Sequence, residues 1–210
     1  MTILFDLDGT LIDSTEAILE SFDVALKSFG EVPFDEEAIK AEIGHPLDAM
    51  FRTLGVSEAR VWEHVAAYKA HYRTIACEKT VLLPRAKEAV ALAAAHARLG
   101  VVTTKTAEYS RELLVYMGMM EYFDVLVGRE DVTHPKPHPE PIQRAMEAID
   151  ASQTECWMVG DTPMDMLAAE AAGIESVAVS CGYAEEKILR TCTPNIARDA
   201  YEAVQFIVES

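Results

Sequence analysis

Asp6 and Asp8 stand two residues apart after the apolar run Ile3-Leu4-Phe5, and Gly9-Thr10 follows them. A short apolar run closed by a Gly-Thr turn reads as a buried strand with a loop at its carboxyl end. Open parallel sheets bind ligands outside the carboxyl ends of their strands, so these acids are a candidate catalytic pair. On a strand they would share one face. Like charges so close need a cation, a shared proton or a ligand to hold them together. Further reactive side chains fall at the ends of apolar runs or in nearby loops. Thr103 and Thr104 close Leu99-Gly100-Val101-Val102 and lead into Lys105. Lys136 lies in Thr133-His134-Pro135-Lys136-Pro137-His138-Pro139, and Asp161 follows Val159-Gly160 with Asp165 four residues on.

Those side chains need elements to hold them. Ile18, Phe22, Leu26 and Phe29 recur at helical spacing. Further helices fit residues 35–43, a stretch reaching Leu54, and one marked by Val61, Val65, Tyr68 and Tyr72. Residues 14–80 therefore read as all-helical. The pattern then alternates: helices over 86–97, 109–117, 140–149, 164–172 and 200–208, strands over 99–104, 125–128, 156–161 and 177–179. Such alternation implies a parallel sheet with helices on both faces. The expected fold is α/β, with a Rossmann-like core (residues 1–13 and 84–210) and a small all-helical cap (residues 14–83) inserted after the first strand.

Composition narrows the function. The 210 residues are 50% hydrophobic and 25% charged, enough for one globular domain with an insertion. A formal net charge of −17 argues against nonspecific binding to nucleic acid or an anionic membrane. An anionic substrate must then be met by locally placed cations or a metal. No apolar stretch reaches the length of a membrane span, and the N-terminus lacks a basic segment followed by a long apolar one. Cys77, Cys156, Cys181 and Cys192 show no metal spacing, which fits reduced thiols in a cytoplasmic protein.

Taken in order, the motifs resemble those of the haloacid-dehalogenase-like superfamily, and within it the phosphatases similar to phosphoglycolate phosphatase. The motifs are Asp6-Leu7-Asp8-Gly9-Thr10, Thr103 after its apolar strand, Lys136-Pro137-His138-Pro139, and Gly160-Asp161-Thr162-Pro163-Met164-Asp165. The resemblance spans essentially the whole chain. It implies that Asp6 is a nucleophile forming an aspartyl-phosphate. It gives Asp8 the protonation of the leaving alkoxide and then the activation of water. Thr103 would donate to the phosphoryl group, and Lys136 would bring positive charge to it and to Asp6. Mg²⁺, a hard cation preferring oxygen, would be held by Asp6, the backbone carbonyl of Asp8, Asp161 and, directly or through water, Asp165. The dehalogenase branch lacks the second acid of the first motif, which this chain keeps as Asp8.

Several residues carry two readings. Thr104 is a one-residue alternative to Thr103. Lys105 either contacts substrate or is a solvated lysine opening the next helix. Asp161 also suits a helix N-cap, and Asp165 a first-turn acid favoured by the helix dipole. His45, in the break Ile43-Gly44-His45-Pro46, resembles the cap loop that faces substrate, or is an exposed histidine in a helix-breaking loop. Lys40 and Arg52 read as solvated or paired, His64 and His71 as packing or surface, and His134 and His138 as shaping the Lys136 loop. Arg85 follows Pro84 where the resembled pattern turns on a glycine, and it either reaches the site or is exposed.

The expectation is an Mg²⁺-dependent hydrolase of a small phosphorylated metabolite, monomeric or homodimeric, with neither nucleic acid nor membrane as partner. The resemblance suggests 2-phosphoglycolate. Inorganic pyrophosphate, nucleoside monophosphates and sugar phosphates stay open. So do an intramolecular phosphotransferase resembling β-phosphoglucomutase and a non-catalytic binding protein on the same fold.

Overall fold

A computed structural model describes all 210 residues. The chain begins with β1 (Thr2–Phe5) and the short β2 (Ile12–Asp13). Four helices follow, α1 (Thr15–Ser28), α2 (Glu36–Glu42), α3 (Leu47–Thr53) and α4 (Val61–Ile75), and then β3 (Val81–Leu82). Alternation starts with α5 (Ala86–Ala94), β4 (Arg98–Val102), α6 (Ala107–Tyr116), β5 (Val125–Val127) and α7 (Glu140–Ala148). It continues with β6 (Cys156–Gly160), α8 (Pro163–Ala172), β7 (Glu175–Val179), α9 (Glu186–Leu189), β8 (Ile196–Ala197) and α10 (Ala200–Glu209).

Six strands form one parallel sheet in the order β5-β4-β1-β6-β7-β8. From β1 the chain winds to β4 and β5 on one side, then returns to β6, β7 and β8 on the other. The direction of winding thus reverses beside β1, and a crevice opens there at the carboxyl ends. Alternating side chains feed two layers. Leu4, Val102 and Met158 pack with Ile142 and Ala145 of α7 and Ala168 and Ala169 of α8. Ile3, Phe5, Val101 and Val159 pack with Ala89 and Val90 of α5 and Ala203 and Val204 of α10.

β2 and β3 pair antiparallel, Ile12 opposite Leu82 and Asp13 opposite Val81, so the chain leaves for α1–α4 and returns at one point. The apolar stripes of these helices meet one another. Phe22 of α1 and Phe51 of α3 have ring centroids 4.5 Å apart, and Tyr68 of α4 packs against both. His64 is fully buried in that cluster, its Nε2 3.0 Å from the Glu31 carboxylate and its Nδ1 2.9 Å from the Arg60 carbonyl. His71 reaches Glu20 at 2.9 Å. His64 is thus a packing residue and His71 a partly exposed one, and each has a glutamate partner that the sequence pattern does not show. Sequence periodicity overruns furthest at two ends: α5 stops at Ala94, and β4 stops at Val102, which leaves Thr103 and Thr104 in the loop. No helix is long and apolar enough to cross a membrane.

Candidate active site

β1 ends at Phe5, so Asp6 and Asp8 lie in the turn beyond it and not on a common strand face. The Asp6 amide donates to the Val159 carbonyl at 2.9 Å, and the Leu11 and Ile12 amides fold back onto the Leu7 carbonyl at 2.9 and 3.1 Å. Gly9 takes φ +82, and a Cβ there would meet the Asp161 side chain and Tyr183, so the turn depends on glycine. The two acids have different surroundings. Asp8 accepts a hydrogen bond from the Ser14 hydroxyl and pairs with Lys105 at 3.2 Å. Asp6 faces Lys136, Asp161 and Asp165.

Lys136 comes from the loop between β5 and α7, where the Lys136-Pro137 peptide is cis. Its ammonium donates to the Val102 carbonyl at 2.9 Å and lies 2.9 Å from Asp6 Oδ1 and 2.5 Å from Asp165 Oδ1. Asp161 follows β6 directly. Its Oδ1 accepts from the Thr10 hydroxyl at 3.0 Å and its Oδ2 from the Tyr183 amide at 2.9 Å. Thr162, and not Asp161, caps α8. Asp165 Oδ2 accepts from the Thr162 amide at 3.0 Å and hydroxyl at 2.7 Å, which closes a capping box. Asp165 is thus a first-turn acid and a partner of Lys136 at once. Gly182 lets the Tyr183 amide come close to Asp161, because a Cβ there would collide with that side chain.

Carboxylate oxygens of Asp6, Asp161 and Asp165 lie within 4.8 Å of one another, and all three residues are buried. Burial pushes the Asp6 carboxyl up to about 7; Lys136 opposes the shift and Asp165 adds repulsion. Burial, then Asp6 and Asp165, raises Asp161 as well. Burial disfavours the charge on Lys136, yet Asp165 and Asp6 together hold its pKa above the ordinary lysine value. Two carboxylates, Asp6 and Asp165, share this one ammonium, and Asp161 beside them has no cation of its own within 4.0 Å. Asp6 Oδ1 is buried and accepts no hydrogen bond in line, although Lys136 is 2.9 Å away. An all-oxygen set with negative charge to spare and an unfilled acceptor fits a hard divalent cation such as Mg²⁺. His134, His138 and Glu140 also bring ligand atoms within 4.8 Å of one another, at the surface. There the Glu140 carboxylate accepts from the Thr133 and His134 amides at 2.9 Å each, which shapes the Lys136 loop.

Over Asp6 and Asp8 lies a cavity of about 300 Å³, walled by the core and by the α1–α4 insertion. Thr103, Thr104, Lys105 and Arg129 line it from the core, and His45, Trp62, Lys69 and Tyr72 from the insertion. Thr103 is buried, and its hydroxyl oxygen accepts from the Lys105 amide at 3.1 Å. The Thr104 hydroxyl instead donates to the Gly44 carbonyl at 2.8 Å, tying one wall to the other. Lys105 is not a solvated lysine opening a helix, because α6 begins at Ala107. Its buried ammonium bridges Asp8 at 3.2 Å and the Tyr72 hydroxyl at 3.0 Å. Burial works against that charge, and Asp8 and Tyr72 raise its pKa in spite of it.

His45 is exposed at the rim. Arg85 turns away from the cavity, its guanidinium 2.5 Å from Asp199 and stacked over Tyr201. Its φ of +59 is the left-handed backbone that the resembled pattern gives to glycine. Arg52 pairs with Asp48 and Glu58, and Lys40 with Glu37. Ser14, Gly182 and the Tyr183 amide carried no signal in the sequence as site residues. Tyr183 is 22 residues beyond Asp161 and contributes only its backbone, which no residue-type pattern can reveal.

Comparison with known proteins agrees with this geometry. The family model for haloacid dehalogenase-like hydrolase matches residues 3–179, and the chain belongs to that family. The phosphoglycolate phosphatase of Colwellia psychrerythraea is 32% identical over 191 residues, covering 86% of this chain and 84% of that one. The pyrophosphatase PpaX of Bacillus cereus is 33% identical over 202 residues, with 94% and 91% covered. The solved structure of a haloacid dehalogenase-like family hydrolase from Streptococcus pneumoniae superposes with a TM-score of 0.87 at 27% identity, covering 98% of this chain and 97% of that one. The α/β core and the hydrolase class expected from the motifs are therefore those of this chain, and its relatives put it beside the family's phosphatases.

Proposed function

We propose that the protein is an Mg²⁺-dependent phosphatase that hydrolyses a small phosphomonoester through a phosphorylated Asp6. The observation that carries this reading is the buried Asp6 Oδ1, beside Lys136 but without an in-line donor, at the floor of the cavity. An Asp6 oxygen bonds to phosphorus while the ester oxygen leaves, and Asp8 gives that oxygen its proton. Asp8 then takes a proton from the water that attacks phosphorus, which frees Asp6 and releases phosphate. Ser14 and Lys105 orient Asp8 for both steps. Thr103 donates to the phosphoryl oxygens and Lys136 brings charge to them. Mg²⁺ held by Asp6, the Asp8 carbonyl, Asp161 and Asp165 would supply neutralising charge for the carboxylates and the phosphoryl group.

Residues 14–83 act as a cap that excludes water, a role supported by the Thr104 to Gly44 hydrogen bond. A metabolite such as 2-phosphoglycolate or pyrophosphate suits the cavity, and the free thiols of the four cysteines suit the cytoplasm. The test is phosphate release from 2-phosphoglycolate, pyrophosphate, a nucleoside monophosphate and glucose 1-phosphate, with Mg²⁺ and with EDTA. Release that needs Mg²⁺ is expected. Activity untouched by EDTA overturns the metal assignment, and isomerisation of glucose 1-phosphate without free phosphate overturns hydrolysis. Silence on every ester points to a binding protein.

A further inference from the structure

Cations are scarce in this chain, with 18 Lys and Arg against 35 Asp and Glu. Lys69, Lys87, Arg111 and Arg129 are the ones with no carboxylate oxygen within 4.0 Å; every other Lys and Arg has such a partner. Lys87 and Arg111 are exposed, the first reaching the Met117 carbonyl at 3.5 Å and the second the Met120 sulfur at 3.8 Å. Lys69 and Arg129 are half-buried, and both line the cavity over Asp6 and Asp8. They come from different parts of the fold, Lys69 from α4 and Arg129 from the turn after β5.

No carboxylate of the cavity lining comes within 4.0 Å of either cation. Asp48 is matched by Arg52 at 2.5 Å, and both Glu130 oxygens accept from the Ala107 amide, at 3.0 and 2.9 Å. Arg129 spends one N–H on the Val132 carbonyl at 3.2 Å and keeps the rest of its fork. Two half-buried cations without counter-ions lose hydration and gain no partner in return. Carboxylates to relieve them are abundant in this chain, so an unpaired pair inside the cavity marks a position that a ligand anion completes.

We infer that Lys69 and Arg129 form a second anion subsite, and that the substrate is a compact phosphoester or phosphoanhydride whose leaving group is itself anionic, either bearing a carboxylate or being a further phosphate. The inference rests on the phosphatase reading of Asp6 and Asp8. Arginine grips either anion through two parallel N–H groups, and lysine adds a point charge. A cavity of about 300 Å³ stands at the small end of ligand sites. A sugar phosphate, with its neutral leaving group, would leave both cations unmet.

The test is a ratio: kcat/KM for 2-phosphoglycolate, and separately for pyrophosphate, over that for glycerol 2-phosphate. Lys69→Met and Arg129→Met should each lower the ratio by about 10- to 100-fold in at least one arm, the loss of a charged hydrogen bond. The arm that falls further identifies the tail. Lys87→Met, which removes an outer-surface cation, should keep the wild-type ratio. Ratios for the two cavity variants that match Lys87→Met in both arms overturn the subsite. If no ester releases phosphate, the phosphatase reading fails by itself, and the subsite is judged by calorimetry with Mg²⁺. Tighter binding of phosphonoacetate than of methylphosphonate, abolished by Arg129→Met, would sustain it. Equal binding of the two would overturn it.

Discussion

On the floor of the cavity, Lys136 is shared among Val102, Asp6 and Asp165, and Asp161 and Asp165 each use both oxygens. On the wall, His45 is exposed at the rim, and Lys69 and Arg129 meet no carboxylate. The floor side chains are held in position by their neighbours before any substrate arrives, the condition for in-line attack at phosphorus. These three wall side chains are held by little, so exchanging them costs the fold little. A lineage can therefore keep its reaction while changing its substrate.

Breaking the floor should have the largest effects. Asp6→Asn is expected to lower kcat on the order of 10⁴-fold or more, with circular dichroism unchanged. Residual turnover near wild type would remove Asp6 as the nucleophile. Asp8→Asn should slow hydrolysis by about 10²- to 10⁴-fold. Mass spectrometry should still find Asp6 phosphorylated from an ester with a good leaving group, and normal turnover would sink the acid/base role. Gly182→Ala tests the floor indirectly, because its Cβ would push on Asp161. The Mg²⁺ concentration for half-maximal activity should rise, and an unshifted titration would mean that Asp161 tolerates displacement. His45→Ala probes the wall and should have the smallest effect. The order of preferred esters changes while the melting temperature stays, and an unaltered order would make His45 an exposed loop residue and nothing more.

What the sequence disclosed follows the same division. Asp6, Lys136 and Asp161 were legible because each follows an apolar run or sits in a proline-framed loop, and such patterns survive without knowledge of contacts. Asp161 was open to being a cap, yet Thr162 has the cap and Asp161 faces the acids. The difference depends on where β6 stops, a one-residue matter that hydrophobic periodicity does not resolve. β2, β3 and β8 escaped notice because two residues cannot show alternation. Thr104 read as a rival of Thr103 for one role, but its partner Gly44 is 60 residues away on the insertion. Arg85 looked like a departure near the hinge. It is a left-handed residue tied to Asp199, and only the backbone and the distant acid make sense of it.

The ammonium of Lys105 touches Asp8 on one side and the Tyr72 hydroxyl on the other, and so spans the seam between core and insertion. Its two attachments are unequal. Asp8 meets the ammonium with a full opposite charge, whereas the Tyr72 hydroxyl meets it only with a dipole. An outward swing of the insertion would therefore part the seam at Tyr72 and leave Lys105 with Asp8. The aspartate would then keep its counter-charge, and the insertion would carry away only a hydroxyl partner.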